Sequence, residues 1–172
     1  MRRLLFEGLA RGPLTEPPPK VDDAEVAALA ASLDAAARKR LGRSLSIREV
    51  DAGSCNGCEL EIHMLNNPYY NIEGLGIKLV ASPRHADLLL VTGPVTRNMR
   101  EALLRTWQAM PPPRLVVAVG DCGCSGGIFG ESYASCGAVA NVLPVDASVP
   151  GCPPSPTAIL RVIVDLVGVR RR

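Results

Sequence analysis

Leu115-Val116-Val117-Ala118-Val119-Gly120-Asp121-Cys122 puts an unbroken apolar run, then a glycine, then a cysteine, into one short stretch. A short run rich in β-branched residues is the pattern of a strand buried on both faces. Working outward, Leu45 to Val50, Ile77 to Val80, Leu88 to Thr92 and Val142 to Val145 are runs of the same kind. Helical stretches are predicted near Cys58 to Asn66, Thr96 to Met110 and Thr157 to Val167. Strand and helix therefore alternate, which implies an α/β fold: a parallel sheet, doubly wound, with helices on both faces.

Ahead of Ser44 the pattern differs. A helix is predicted from about Asp22 to Leu41, capped by Asp22, with Asp23 and Glu25 in its first turn, Arg38, Lys39 and Arg40 in its last, and Gly42 as its stop. Val26, Leu29, Leu33, Ala37 and Leu41 recur at spacings of three or four and give it one apolar face. Before it, Leu4, Leu5, Phe6 and Leu9 lie among Arg2, Arg3 and Arg11, and Pro13 and Pro17-Pro18-Pro19 keep the chain extended. Two readings of this arm stay open: a tail packed on its own domain, or a cationic amphipathic segment that docks on a partner or a membrane. The expected division is residues 1–43 for arm and amphipathic helix and 44–172 for the α/β domain.

The chain has 172 residues, about one domain, and 47% hydrophobic with 21% charged residues is a globular composition. Nineteen Lys and Arg against 17 Asp and Glu leave +2, no overall drive toward nucleic acid or an anionic membrane. Aromatic residues are only 3%, so base-stacking platforms are scarce and no nucleic-acid partner is expected. No apolar run reaches the ~18 residues of a transmembrane helix, and Met1 to Glu7 meets a charge too early for a signal peptide. A soluble, intracellular chain is expected. Its six cysteines then point to metal or redox chemistry, because disulfides are rare where thiols are kept reduced.

Those cysteines follow the predicted architecture. Cys55 and Cys58 come after the strand ending at Val50, Cys122 after the strand ending at Gly120, and Cys152 after a strand ending near Asp146. Three strand-to-helix connections thus deliver thiols to the carboxyl edge of the sheet, where open α/β folds place their ligands. Gly53, Gly57, Gly120, Gly123, Gly126, Gly127 and Gly151 let backbone N–H groups approach thiolate or sulfide, and Pro153 and Pro154 stiffen the exit from Cys152. A tetrathiolate of this kind holds zinc or an iron-sulfur cluster. Structural zinc sites draw ligands as two close pairs, whereas Cys122 and Cys152 arrive singly, which suits a cubane. A thioredoxin-type switch would use Cys55-Asn56-Gly57-Cys58 but leave Gly151-Cys152-Pro153-Pro154 without a role. Cys124 is expected in an extended or turn segment with its thiol pointing away from that of Cys122, and Cys136 is expected as a small buried residue. Pro94, Ile128, Phe129, Tyr133 and the Asn66 to Tyr70 stretch are expected to form an apolar and aromatic rim suited to a protein interface.

Four ordered motifs, Ala52-Gly53-Ser54-Cys55-Asn56-Gly57-Cys58-Glu59, Ala81 to Asp87, Gly120-Asp121-Cys122 and Val149-Pro150-Gly151-Cys152-Pro153-Pro154, resemble one family across residues 44–168. It is the small electron-transfer subunit shared by group 4 membrane-bound [NiFe] hydrogenases, such as formate hydrogenlyase and hydrogenase-4, and by respiratory complex I. The resemblance implies a flavodoxin-like fold and one [4Fe-4S] cluster, with Cys55, Cys58, Cys122 and Cys152 as its ligands. It implies a structural or interface role for Arg84 and Asp87, and either a solvated charge or a proton-relay role for Glu61. Complex I subunits carry adjacent cysteines in the first motif, whereas the Cys55 to Cys58 spacing resembles the hydrogenase branch. The implied function is a non-catalytic electron relay to or from a catalytic large subunit, peripheral on the cytoplasmic face of the cell membrane. The implied partners are that hydrogenase or quinone-oxidoreductase large subunit, a ferredoxin-like iron-sulfur subunit, and membrane-embedded subunits of the same complex.

Overall fold

The computed structural model describes residues 23–75 and 77–168. The expected N-terminal arm, and Asp22 as a cap, lie outside them. In chain order the elements are α1 (Asp23–Leu41), β1 (Ser46–Asp51), α2 (Gly57–Met64), β2 (Lys78–Leu79), β3 (Leu88–Thr92), α3 (Arg97–Ala109), β4 (Leu115–Val119), α4 (Gly120–Ser125), β5 (Ala147–Val149) and α5 (Pro156–Gly168). Gly42 ends α1 at φ 69°, donating its N–H to the Arg38 carbonyl at 3.0 Å, a left-handed cap that costs glycine little. Thr96 starts α3 by accepting the Met99 N–H.

The described strands form one parallel sheet in the order β2-β1-β3-β4-β5, the flavodoxin-like order with its switch point between β1 and β3. Ile47 to Asp51 pair with Leu88 to Thr92, and those with Leu115 to Val119. Alternation along each strand feeds two core layers. Leu88, Leu90, Leu115, Val117 and Val119 pack with Leu33 and Ala37 of α1, Ile62 of α2, and Ile159, Leu160, Ile163 and Val167 of α5. Leu89, Val91, Val116 and Ala118 pack on the other side with Leu103 of α3, Met110, Val139 and Leu143. Burial on both faces is why β4 is apolar at every position and β3 at every position but Thr92.

Two expectations need correction. Val142 to Val145 is not a strand: a 3-10 turn spans Val139–Asn141, Leu143 is buried in the second layer, and Pro144 has no N–H for a ladder. The chain joins β4 only at Asp146, whose N–H donates to the Val116 carbonyl and whose Oδ2 accepts the Val116 N–H, both at 2.8 Å. The fifth strand is therefore Ala147–Val149, and Cys152 follows its end rather than one near Asp146. Cys122 to Cys124 is likewise not extended but lies in α4, which ends on Gly126 at φ 89°.

At the amino ends of the central strands Asp87 is 1% exposed, with Oδ1 accepting from Arg43 Nη2 at 2.6 Å and Oδ2 from the Ser46 N–H at 3.1 Å. Its role is to tie the entrances of β1 and β3 together. Arg84 is exposed on the turn Pro83–His85. Among the described residues no helix is long and apolar enough to cross a membrane.

Candidate metal centre

Each cysteine singled out from the sequence sits just past the carboxyl end of a strand. After β1 the chain turns at Ala52 and Gly53, because Asp51 Oδ1 accepts the N–H groups of Gly53 and Ser54, both at 2.7 Å. Asn56 takes the left-handed conformation, φ 72°, and donates its N–H to Ser54 Oγ at 3.1 Å, so that α2 begins between Cys55 and Cys58. Asparagine is among the few non-glycine residues that enter this region readily. Cys122 lies in the first turn of α4 directly after β4, and Cys152 three residues beyond β5.

All four thiols line one cavity of about 130 Å³, together with Gly53, Gly57, Gly93, Pro94, Asp121, Phe129, Gly151 and Pro153. The backbone approaches sulfur closely here. A Cβ on Gly120 would stand 2.5 Å from Cys58 Sγ, and one on Gly127 would stand 2.8 Å from Cys122 Sγ. Burial, then Glu59, then the other three cysteines push the Cys58 thiol up to about 12. The Cys122 thiol is raised by burial and then by Cys152, Cys55 and Asp121. Thiolates at Cys58 and Cys122 are thus disfavoured without a cation, and a cationic centre bound there would offset both their desolvation and the repulsion from neighbouring negative groups.

The donor set and the space fit an iron-sulfur cluster. A cavity of about 130 Å³ far exceeds the ~15 Å³ one water needs, so it accommodates several atoms between the sulfurs. Among the described residues no three His, Cys, Asp or Glu side chains are gathered around a single-ion position, the four cavity cysteines included. Cys124 and Cys136 stand apart from the cavity. Cys124 Sγ donates to the Ala118 carbonyl at 3.7 Å, and Cys136 packs against the second core layer with its N–H on the Val95 carbonyl. Two positions along a helix turn a side chain through about 200°, which separates Cys124 from Cys122.

Glu61 is half-buried on α2 outside the cavity lining, where its charge adds to burial in raising the Tyr70 hydroxyl. Glu59, next to Cys58, carries no signal of its role in the sequence. It is 6% exposed, its Oε1 accepts from Ser54 Oγ at 2.5 Å, and its Oε2 is buried without a hydrogen-bond partner among the described residues. Asp51 and Asp121 do carry a signal, since an aspartate at a strand end ahead of a glycine-rich turn is the signature of a side chain that holds loop N–H groups.

A sequence profile for the NADH ubiquinone oxidoreductase 20 kDa subunit matches residues 55–166, from the first cysteine of the cavity to beyond the last. Formate hydrogenlyase subunit 7 of Escherichia coli is 47% identical over 144 residues, 84% of this chain and 55% of that protein, so the chain spans little more than half of that relative. A subunit of the NADH-quinone oxidoreductase of Desulfovibrio desulfuricans is 43% identical over 119 residues, 69% of this chain and 63% of that protein. Among solved structures, a chain of the membrane-bound sulfane sulfur reductase, an archaeal respiratory membrane complex, superposes with a TM-score of 0.64 at 33% identity, covering 77% of this chain and 73% of that one. With the profile spanning more than half of its length and including all four cavity cysteines, the chain belongs to the NADH ubiquinone oxidoreductase 20 kDa subunit family.

Proposed function

We propose that this chain is a non-catalytic electron-relay subunit of a membrane-bound [NiFe] hydrogenase-type complex, with one [4Fe-4S] cluster on Cys55, Cys58, Cys122 and Cys152. The observation that carries the reading is the arrival of four thiols from three separate strand ends at one glycine-lined cavity. When bound, such a cluster supplies a one-electron site. The chain's own residues orient the four sulfurs, partly shield Cys58 from water and bring backbone N–H groups near them. Its partners are then a catalytic large subunit, a ferredoxin-like iron-sulfur subunit and membrane-embedded subunits, with this chain peripheral on the cytoplasmic face. Glu61, half-buried on the helix that carries Cys58, is the candidate proton relay, and Glu61→Gln is expected to slow turnover of the complex while leaving the cluster spectrum unchanged.

Metal analysis of the anaerobically purified complex tests the centre, with about four irons and four labile sulfides expected for this subunit. Ser at any of the four cysteines should weaken or abolish the reduced-cluster EPR signal, and Ala at Cys124 or Cys136 should leave it in place. Stoichiometric zinc without labile sulfide overturns the reading, as does a metal-free chain with a reversible Cys55 to Cys58 disulfide. A second reading, the cluster subunit of an NADH:quinone oxidoreductase, is favoured by the family profile itself. Two CxxC nickel-binding pairs in the neighbouring large-subunit chain decide for hydrogenase, and their absence decides against it.

A further inference from the structure

The cavity combines one cysteine pair on a single loop and helix, Cys55 and Cys58, with two cysteines on different loops, Cys122 and Cys152. Nothing in the covalent chain fixes the separation of the last two, so some contact between their loops must set it. The β4–β5 ladder pairs Val117 with Ala147 and Val119 with Val149, and both strands end there. Asp121 and Gly151 stand two residues further along each chain, so they continue the same register beyond the strand ends. There the Asp121 N–H donates to the Gly151 carbonyl at 2.9 Å, and the Gly151 N–H donates to Asp121 Oδ1 at 2.8 Å. Because α4 has already turned the backbone away, a carboxylate supplies the acceptor for Gly151. Cys122 and Cys152 are each the next residue after this reciprocal pair.

We infer that Asp121 is a positioning residue that clamps the Cys122 and Cys152 loops at a fixed separation and so allows the two single cysteines to serve one centre. The clamp is braced from within α4. Ser125 Oγ donates to the Asp121 carbonyl at 2.9 Å and accepts the Gly127 N–H at 3.3 Å, and Gly127 is the glycine whose backbone lies against Cys122. Asp121 also lines the cavity, so its charge and its hydrogen bond act on the same site and need to be separated by experiment.

Three substitutions in the assembled complex separate them. Asp121→Asn keeps an acceptor oxygen and removes the charge. Asp121→Glu keeps the charge and displaces the acceptor by one methylene. Asp121→Ala removes both. The clamp predicts wild-type iron content and EPR line shape in Asp121→Asn, with only a more positive midpoint potential. In Asp121→Glu and Asp121→Ala it predicts iron affinity lowered by about ten-fold or more, the range for residues that hold metal ligands in place. The inference rests on the iron-sulfur reading for that readout alone. Amide hydrogen exchange over residues 147–153 should quicken in the Ala and Glu variants and not in Asn, whatever the centre contains, so wild-type iron content tests the function and exchange tests the clamp. Loss of iron in Asn equal to that in Ala, or unchanged iron content and exchange in Ala and Glu, overturns the inference.

Discussion

Gly120 shows how one residue couples backbone conformation to the sulfur site. Its φ of 80° lies in the region L side chains avoid, and an added Cβ would meet Cys58 Sγ at 2.5 Å and the Gly151 carbonyl at 3.5 Å. Gly120→Ala is therefore expected to cost about 1–3 kcal/mol from the backbone alone and, in addition, to displace the Cys58 sulfur, a ligand on the proposed reading. Gly130→Ala is the control, since Gly130 is at φ 52° with nothing within 4 Å of its Cβ position. Both should lower the thermal midpoint, and only Gly120→Ala should lose iron; equal iron contents would separate Gly120 from the site. Glu49 carries a different residue-level prediction. Burial raises its pKa, Glu59 adds to the rise, and His63, 3.7 Å away, opposes it. Because the folded chain holds that proton more tightly than the unfolded chain, the stabilisation is complete below the unfolded pKa and lost as pH rises through the folded one. Glu49→Gln should accordingly raise the thermal midpoint at about pH 8 more than at about pH 4, and a larger gain at the lower pH contradicts the assignment.

Among the elements, legibility followed burial. β3 and β4 are readable because central strands covered on both faces have apolar side chains at most or all positions, whereas β1 shows only Ile47 and Val50 as apolar, buried positions within its span. β5 was misplaced because Ala147-Ser148-Val149 is short, half-polar and at the sheet edge, whereas the more apolar Val142 to Val145 serves a turn that buries Leu143. α4 was missed because Gly120-Asp121-Cys122-Gly123-Cys124-Ser125 has almost no intrinsic helix preference; its position against β5, β3 and the Val139–Asn141 turn holds it instead. The four cavity cysteines were legible from their spacing after strands, but the side chains that hold their loops, Asp51, Ser54, Glu59 and Asp121, were not, because their partners are set by turn geometry. α1 yields the element-scale prediction. Leu33 and Ala37 are fully buried in one core layer with Leu160, Ile163 and Val167 of α5, so the helix shares the core of the sheet. Leu33→Ala should destabilise the chain by about 2–5 kcal/mol, shifting the urea midpoint with little change in slope. A change below about 1 kcal/mol would mean that α1 contributes no more than a surface helix.

For the whole molecule, the cavity opens on a surface that suits another protein better than water. Ile128 is 94% exposed, Tyr133 95% and Phe129 60%, and Phe129 itself lines the cavity that holds the four thiols. Large apolar side chains so exposed beside a cavity whose cysteines are themselves exposed or half-buried form the kind of patch that interfaces cover. On the proposed reading a catalytic large subunit covers it, shielding the cluster from water and exchanging its electrons, while Ile128 and Phe129 sit on the glycine-rich loop that follows α4. Phe129→Asp and Tyr133→Asp should then weaken co-purification with that subunit, by roughly ten-fold or more for a buried aromatic anchor, before iron content falls. The isolated chain, given an artificial electron donor or acceptor, should show no hydrogen evolution, hydrogen uptake or quinone reduction, and activity should return on assembly. Sustained turnover by the purified chain would require a reactive site in this molecule beyond the four-thiol cavity. Normal assembly of both aspartate variants would mean that the partner covers a different face.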